Sequence, residues 1–308
     1  MKNKNMIINK LRRLFGLAPK FDNLLFQMRK MQIDKNLMHY TESGITDQLY
    51  CDHQIIVSLT SYGKRVKTAY LSIESIMEQT MKANRIVLWL DNSWKGKRLP
   101  ESLQRLKKRG LEIYFCEDIR SYKKLIPSLK MFPDDAIITI DDDLIYDINM
   151  LENLIVPYLD NPARIYCCRA HQIVLGKDSK PIPYNKWKWC LTEAQTGWWV
   201  FPTGVGGCLY PPHSLDDEVL NEDVFMDICQ FADDVWFKAM ALKKGTMAVH
   251  VETVDKYGAE YIENPSVQEN SLCSVNVGGK AMNDIQIAAV FERYNLYQLL
   301  KEKYVNQV

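Results

Sequence analysis

From residue 53 onward, short apolar runs alternate with segments in which apolar residues recur at helical spacing. The short runs predict buried strands, and the periodic segments predict amphipathic helices. The predicted strands cover residues 54–59, 85–90, 111–116 and 136–140, and the helices between them cover 66–77, 100–109 and 122–130. Strands and helices that alternate in this order form a parallel sheet with helices on both faces, so the predicted fold class is α/β.

The chain beyond residue 150 has a less regular pattern, with strands predicted over residues 164–170 and 246–252. Between them, a helix begins with Asp233 and Asp234 and ends at Gly245. Acidic residues in a first helical turn stabilise the helix by capping and through its dipole, so this pair is either structural or the source of a general base. His250 stands near the end of the last strand, where a structural role competes with contact to a metal or a phosphate.

Three carboxylates follow the apolar run over residues 136–140: Asp141, Asp142 and Asp143. In extended backbone Asp141 and Asp143 point the same way, and Asp142 points the opposite way. Like charges beside a buried strand need a positive partner, and Mg²⁺ or Mn²⁺ fits because these cations prefer oxygen ligands. The alternative is an acidic loop that only caps the next helix.

Polar residues also follow the other predicted strands. Thr60, Ser61 and Tyr62 end the first strand, and Asp91 closes the second. Ligands of such sheets bind beyond the carboxyl ends of the strands, so we expect these residues and the aspartate triplet to share one crevice. The first strand is not followed by G-x-G-x-x-G, and no G-x-x-x-x-G-K-[ST] occurs, which disfavours a dinucleotide site or a P-loop.

Residues 197–212 are rich in glycine and tryptophan. Gly206 and Gly207 would permit close approach of the backbone to a ligand, and Trp198 or Trp199 offers a flat apolar face for a sugar ring. The competing interpretation places the tryptophans in the core and the glycines in turns.

Composition restricts the class of protein further. The 308 residues are 47% hydrophobic and 25% charged, which is enough for a sizeable core, and the net charge of +1 argues against a nucleic-acid partner. The eight cysteines contain no C-x-x-C pair, so reduced thiols of a cytoplasmic protein are expected, and no apolar run is long enough to span a membrane.

The first 20 residues carry six basic residues and no acidic one, around an apolar helical face. This pattern is typical of a helix on an anionic membrane surface, and a solvated or self-packed helix is the alternative.

Four elements in order carry a family resemblance: a strand ending in Thr60-Ser61-Tyr62, the aspartate triplet, a Gly-rich strand at 204–210, and a helix opened by Ala232-Asp233-Asp234. Over residues 53–255 the chain resembles bacterial glycosyltransferases of the GT-A fold, family-2-like type. The resemblance implies a Rossmann-like three-layer sandwich with a mixed, mainly parallel sheet. It implies a catalytic domain over 51–255 with a nucleotide-binding half (51–146) and an acceptor half (147–255). Outside this domain we expect a basic helical extension over 1–50 and a C-terminal loop and helix tail over 256–308.

The triplet resembles the D-x-D motif of that family, which holds a divalent metal and the diphosphate of a nucleotide-sugar. By resemblance, Asp141 approaches the ribose or the metal, Asp142 belongs to the same donor site, and Asp143 is the main metal ligand. Asp91 matches the position that contacts the base of the nucleotide.

Asp234 matches the carboxylate that deprotonates the acceptor in inverting members, and Asp233 would then be the cap or an acceptor ligand. This chain has Ala-Asp-Asp where many members have Glu-Asp, so the choice between the two stays open. Lys124 and Arg65 are candidate phosphate partners.

The resemblance implies an enzyme that uses Mn²⁺ or Mg²⁺ to move one sugar from a nucleotide-sugar, a UDP-sugar by preference, to a glycan or lipid-linked acceptor. Such an enzyme would serve bacterial surface polysaccharide synthesis at the inner face of the membrane. Because the Q-x-x-R-W motif of processive synthases is absent, transfer of a single sugar is favoured. The alternatives are a sugar nucleotidyltransferase, disfavoured by the single glycine after the first strand, and a non-catalytic sugar-binding module.

Overall fold

The structure is a computed structural model that describes residues 18–252, 261–266 and 282–305. Residues 1–17, which form most of the basic N-terminal segment, lie outside the described residues, so its predicted membrane contact stays a prediction. Within the described ranges, no helix combines the length and apolar character needed to cross a membrane.

An eight-stranded mixed sheet forms the centre of the fold. The strands of the protein are, in chain order, β1 (Ile55–Thr60), β2 (Arg85–Asp91), β3 (Leu111–Cys116), β4 (Ala136–Thr139), β5 (Leu144–Tyr146), β6 (Ile165–Cys167), β7 (Ala170–Gln172), β8 (Gln195–Gly197), β9 (Val200–Pro202), β10 (Cys208–Tyr210), β11 (Ala248–His250) and β12 (Tyr261–Glu263). The central sheet has the order β3-β2-β1-β4-β10-β6-β11-β8, and β12-β5 and β7-β9 form two separate pairs.

Helices cover this sheet. They are α1 (Ala18–His39), α2 (Tyr70–Met77), α3 (Glu101–Lys107), α4 (Ile126–Met131), α5 (Met150–Asp160), α6 (Glu222–Ile228), α7 (Asp233–Lys244), α8 (Met282–Arg293) and α9 (Leu296–Val305). The C-terminal pair, α8 and α9, packs against α7.

The four strands predicted in the first half are parallel neighbours, with β1 between β2 and β4 and with β3 beyond β2. The antiparallel strand β10 then separates β4 from β6, and β11 runs parallel to β6. The predicted α/β class with a mixed, mainly parallel sheet is therefore confirmed. The sheet continues across residue 146, where the division between the two halves of the catalytic domain is predicted.

Two segments differ from the sequence prediction. The strand predicted over 164–170 is split into β6 and β7, which belong to different sheets. The helix predicted over 122–130 is a 3-10 turn (Arg120–Lys124) followed by α4, because Pro127 fits only the first turn of an α-helix. This break places Lys124 at the end of a turn.

Apolar side chains that point alternately to the two faces of the sheet form a hydrophobic core on each face. Ile55, Val57 and Leu59 of β1 pack in one apolar cluster with residues of α2, α3 and α5. Ile56, between them, packs in a second cluster, together with Trp236 of α7. Because successive side chains of a strand point to opposite faces, one strand serves both clusters and the fold has three layers.

One buried ion pair joins α2 to the turn that follows α3. Arg109 Nη1 donates to both carboxylate oxygens of Glu74 at 2.7 and 2.6 Å, and the two side chains are 5% and 0% exposed. Burial raises the pKa of Glu74, and Arg109 opposes that rise. The pair is matched, and neither partner can be removed without leaving the other buried and uncompensated.

We predict that Arg109→Met lowers the free energy of unfolding at neutral pH by about 3–5 kcal/mol, the usual cost of breaking a buried pair. A carboxyl whose folded pKa is raised contributes stability at low pH and loses it as pH rises through that pKa. The loss should therefore be larger at pH 8 than at pH 5 in urea denaturation. The double variant Arg109→Met/Glu74→Leu should recover most of the loss, and an equal loss at both pH values in the single variant would contradict this account.

Candidate active site

The aspartate triplet lies at the carboxyl end of β4, between β1 and β10 in the sheet. The backbone N–H of Asp141 donates to the buried Tyr146 hydroxyl at 2.8 Å, which anchors the turn. Asp142 is buried, whereas the side chains of Asp141 and Asp143 are 25% and 16% exposed. The two outer carboxylates can therefore reach a ligand in the crevice.

Arg65 is the cation that contacts Asp142 and Asp143. Its Nη2 lies 2.8 Å from Asp142 Oδ1 and 2.5 Å from Asp143 Oδ2. Ser61, immediately after β1, donates its hydroxyl to the other oxygen of Asp142 at 2.5 Å. The carboxyl end of β1 and the turn after it thus bind the triplet directly, as the convergence of strand ends predicted.

Burial dominates the titration of these acids. It raises the pKa of Asp142 to about 6, although Arg65 and Ser61 oppose the rise. Burial and the charge of Asp141 also raise the pKa of Asp143. One guanidinium therefore does not compensate both carboxylates fully, and an additional positive charge would be stabilised here.

Lys124 joins the triplet to the start of α7. Its Nζ lies 3.1 Å from Asp141 Oδ1 and 3.1 Å from Asp233 Oδ2. Burial alone would lower the pKa of this lysine, but Asp141, Asp233 and Asp234 together raise it well above its ordinary value. The lysine is therefore fully charged and held by carboxylates from two separate elements.

Asp234 faces the loop that precedes β10. Its Oδ1 accepts the backbone N–H of Gly204 at 3.0 Å. Burial and the neighbouring Asp233 raise the pKa of Asp234 to about 7, against the lowering effect of Lys124. A carboxylate with this pKa is suited to accept a proton near neutral pH.

The alternative in which Asp233 caps α7 is wrong. Ala232 occupies the N-cap position, and the helix start has no capping hydrogen bond from a side chain. Asp233 turns its carboxylate to Lys124 instead. An acidic residue in the first turn of a helix can either cap the helix backbone or pair with a cation elsewhere. The sequence does not show which of the two occurs.

The acidic residues fit a hard divalent cation. Mg²⁺ and Mn²⁺ need only one or two protein carboxylates when phosphates and water complete the shell. Asp141 and Asp143 are partly exposed, and burial together with the charge of Asp141 raises the pKa of Asp143. Arg65 shares this position and must leave Asp143 for a cation to bind it.

A different trio brings potential ligand atoms within 4.8 Å of one another in the described residues: Cys51, Asp52 and His53. This trio precedes β1, so it lies near the amino ends of the parallel strands, whereas the triplet lies at their carboxyl ends. Asp52 and the Tyr158 hydroxyl already bind the two nitrogens of His53 at 2.7 and 2.6 Å.

The other predicted donor-site residues lie at the carboxyl ends of β1 and β2, as expected, and each contacts other groups of the protein. Thr60 donates its hydroxyl to the Trp89 carbonyl at 2.9 Å, and Tyr62 is exposed beneath the Arg65 guanidinium. Asp91 accepts the backbone N–H of Ser93 at 2.9 Å and caps a short 3-10 turn. Their contacts with a nucleotide stay predictions.

The acceptor-site candidates have mixed placements. Trp198 is 7% exposed and belongs to the apolar core, with Lys303 above its ring, which favours the core interpretation for this residue. Trp199 packs partly buried against the same core. Gly206 and Gly207 have φ values of +95° and +104°, so their backbone conformation alone requires glycine.

His250 is buried, and its Nδ1 donates to the Glu193 carbonyl at 2.8 Å. Its strand, β11, stands three positions from β4, about 14 Å at the usual strand spacing. This placement argues against ligation of the same cation as Asp143.

The sequence interpretation overlooked Gly204. A Cβ on this residue would lie 2.4 Å from Lys124 Nζ and 3.2 Å from Asp234 Oδ1. Gly204 belongs to the Gly-rich segment that the sequence analysis singled out. Nothing in the sequence, however, distinguishes a glycine needed for space from one needed for a turn.

No protein-family model matches this chain, and no curated protein matches it. Solved structures match parts of the fold. Glucosyl-3-phosphoglycerate synthase from Mycobacterium tuberculosis, with Mn²⁺, UDP and phosphoglyceric acid, is 17% identical over 38% of this chain, with a TM-score of 0.29. The mannosyltransferase PcManGT from Pyrobaculum calidifontis, with GDP-Man and Mn²⁺, is 15% identical over 52% of this chain, with a TM-score of 0.32.

The matched regions span 43% and 46% of those two proteins. A CMP:2-keto-3-deoxy-manno-octonic acid synthetase complexed with CTP is 12% identical, and the match covers 76% of this chain and all of that one, with a TM-score of 0.41. At these scores we base the function on the residues of this chain alone.

We predict that Arg65→Met strengthens binding of Mn²⁺ to the unliganded protein about tenfold, because a competing positive charge is removed a few ångströms from Asp142 and Asp143. Calorimetric titration at pH 8 measures the change. Lys64→Met is the matched control, since Lys64 is the exposed neighbour with the same charge. Unchanged or weaker Mn²⁺ binding by Arg65→Met would show that arginine and cation do not share the position.

Proposed function

We propose that this protein transfers one sugar from a nucleotide-diphosphate sugar to a hydroxyl of a glycan or lipid-linked acceptor, with inversion at the anomeric carbon. A UDP-sugar is the preferred donor. One observation carries the proposal: Asp234, a carboxylate whose pKa is about 7, directly follows Asp233, and Lys124 pairs Asp233 with Asp141 of the acidic triplet. Glycosyl transfer to a hydroxyl requires both a base and a site for a departing diphosphate.

Asp234 is the proposed base. It would take the proton from the acceptor hydroxyl as the oxygen attacks the anomeric carbon, and Gly204 N–H holds one of its oxygens in place at 3.0 Å. The second carboxylate oxygen is the proposed proton acceptor. Partial desolvation keeps the proton affinity of this carboxylate high enough for general-base catalysis.

Asp141 and Asp143 are the proposed holders of a divalent cation, which when bound would neutralise charge on the diphosphate. Arg65 is the proposed diphosphate partner. Its Nε is buried and has no hydrogen-bond partner among the described residues, although Nη2 binds two carboxylates. A guanidinium with an unused donor can bind a phosphate through two parallel hydrogen bonds.

The reaction class is tested by incubating the protein with Mn²⁺ and a panel of UDP-, GDP- and CMP-sugars, and in parallel with nucleoside triphosphates and free sugars, and analysing the products. Release of the free nucleotide from a nucleotide-sugar, by transfer or by slow hydrolysis, supports the proposal. Consumption of a nucleoside triphosphate and a sugar with release of pyrophosphate would identify a nucleotidyltransferase instead. Binding without turnover would identify a sugar-binding module.

We predict that Asp234→Asn lowers kcat by about 10²–10⁴-fold, the usual contribution of a general base, with little change in the donor KM. In the wild type, kcat/KM should rise as pH rises through about 7, since the base acts only when it is deprotonated. The variant should lose this pH dependence. If Asp233→Asn shows this pattern and Asp234→Asn lowers only the melting temperature, the roles of the two carboxylates are reversed.

A further inference from the structure

We propose that Lys124 is the positioning residue of this site: its Nζ, seated in the space that Gly204 leaves free, holds the start of α7 against the aspartate triplet. The inference rests on the proposed function and deepens it by naming the group that sets the geometry of the base. It also changes the role expected from the sequence, in which Lys124 was a phosphate partner.

Three separate segments meet at this nitrogen. Lys124 ends the 3-10 turn after β3, Asp141 follows β4, and Asp233 begins α7. Both ion pairs measure 3.1 Å, the one with Asp141 is also a hydrogen bond, and the lysine side chain is only 7% exposed. An ammonium buried between two carboxylates is held firmly, because moving it away would leave both acids without their cation.

Gly204 supplies an independent observation. Its φ does not lie in the left-handed region, unlike those of Gly206 and Gly207, so the backbone conformation does not explain this glycine. A Cβ here would lie 2.4 Å from Lys124 Nζ, a distance at which one of the two groups must move. The missing side chain therefore makes room for the ammonium, while the backbone N–H of the same residue binds Asp234.

The contacts of Lys124 leave the diphosphate to Arg65. Lys124 donates a hydrogen bond to Asp141 and pairs with the charge of Asp233, and these two contacts hold Nζ inside the protein. Arg65 instead binds the triplet through Nη2, and within the described part of the chain its Nε donor has no hydrogen-bond partner. The two cations thus have different roles, because Arg65 is able to bind the donor whereas Lys124 fixes the acids relative to one another.

The position of Lys124 also governs charge. Burial and Asp233 raise the pKa of Asp234, and Lys124 lowers it. With the lysine in place, Asp234 keeps a substantial ionised fraction at neutral pH. Without it, Asp233, Asp141 and Asp234 repel one another in a partly desolvated site, and Asp234 holds its proton to higher pH.

The test uses the full-length, unliganded protein and two variants, Lys124→Met and Gly204→Ala. Carboxyl carbon NMR, with the Asp234 signal assigned from Asp234→Asn, measures the pKa of that residue. We expect the pKa of Asp234 to rise by about one to three units in Lys124→Met, and in the same direction in Gly204→Ala. Lys123→Met is the matched control, since the neighbouring lysine is also buried but pairs with Asp118, and it should leave this pKa unchanged.

A double variant separates charge from folding. Lys124→Met/Asp233→Asn removes the lysine together with the carboxylate it compensates, so the pKa of Asp234 should return toward the wild-type value. If Lys124→Met does not fold, Gly204→Ala still decides the matter. An Asp234 pKa that stays unchanged in folded Lys124→Met, or in folded Gly204→Ala when Lys124→Met does not fold, would overturn the inference.

Kinetics distinguish this inference from the proposed function. The rise of kcat/KM with pH should move to higher pH in Lys124→Met, with the affinity for UDP unchanged. Loss of UDP affinity with no shift in the pH profile would make Lys124 a phosphate ligand and overturn the positioning role. If the NMR shift appears but the wild type turns over no nucleotide-sugar, the proposed function fails and the positioning role stands.

Discussion

Five aspartates lie close together at the carboxyl end of the central strand β4: Asp141, Asp142, Asp143, Asp233 and Asp234. Lys124 and Arg65 supply the positive charge that pairs with them. Carboxylates outnumber the cations that contact them, and burial, together with the neighbouring carboxylates, raises the pKa values of Asp142, Asp143 and Asp234. Such a cluster is stable only because each acid has a hydrogen bond or an ion pair. The remaining negative charge supports the proposal that Asp141 and Asp143 hold a divalent cation.

The scaffold explains how acids so distant in the chain come together. Because β1 and β4 are parallel, their carboxyl ends lie side by side. Arg65 and Ser61, which follow β1, therefore lie next to the triplet, which follows β4. The antiparallel strand β10 on the other side of β4 carries the Gly204 loop to the same end of β4. Gly204 then meets both Lys124 and Asp234, and α7, packed on the sheet through Trp236, supplies the carboxylates from its first turn.

The two cations show how similar residues can differ in function. Arg65 bridges Asp142 and Asp143, and its buried Nε has no hydrogen-bond partner among the described residues, which supports its proposed role as the phosphate ligand. Lys124 is enclosed between Asp141 and Asp233, and Gly204 closes over it. The difference comes from burial and geometry rather than from charge, which is the same for both.

The sequence by itself determined the α/β class, the first four strands and the position of the triplet at a strand end, because hydrophobic periodicity and Gly or Pro at element ends are local signals. It did not separate β6 from β7, and it did not place His250 or Trp198. The positions of these residues depend on the order of the strands in the sheet and on which surfaces other segments of the chain bury. Only the tertiary structure decided that Asp233 binds a lysine instead of capping its helix, that Lys124 lies between two acids, and that Gly204 is needed for space. Each of these depends on atoms from segments far apart in the chain, whose distances no local pattern encodes.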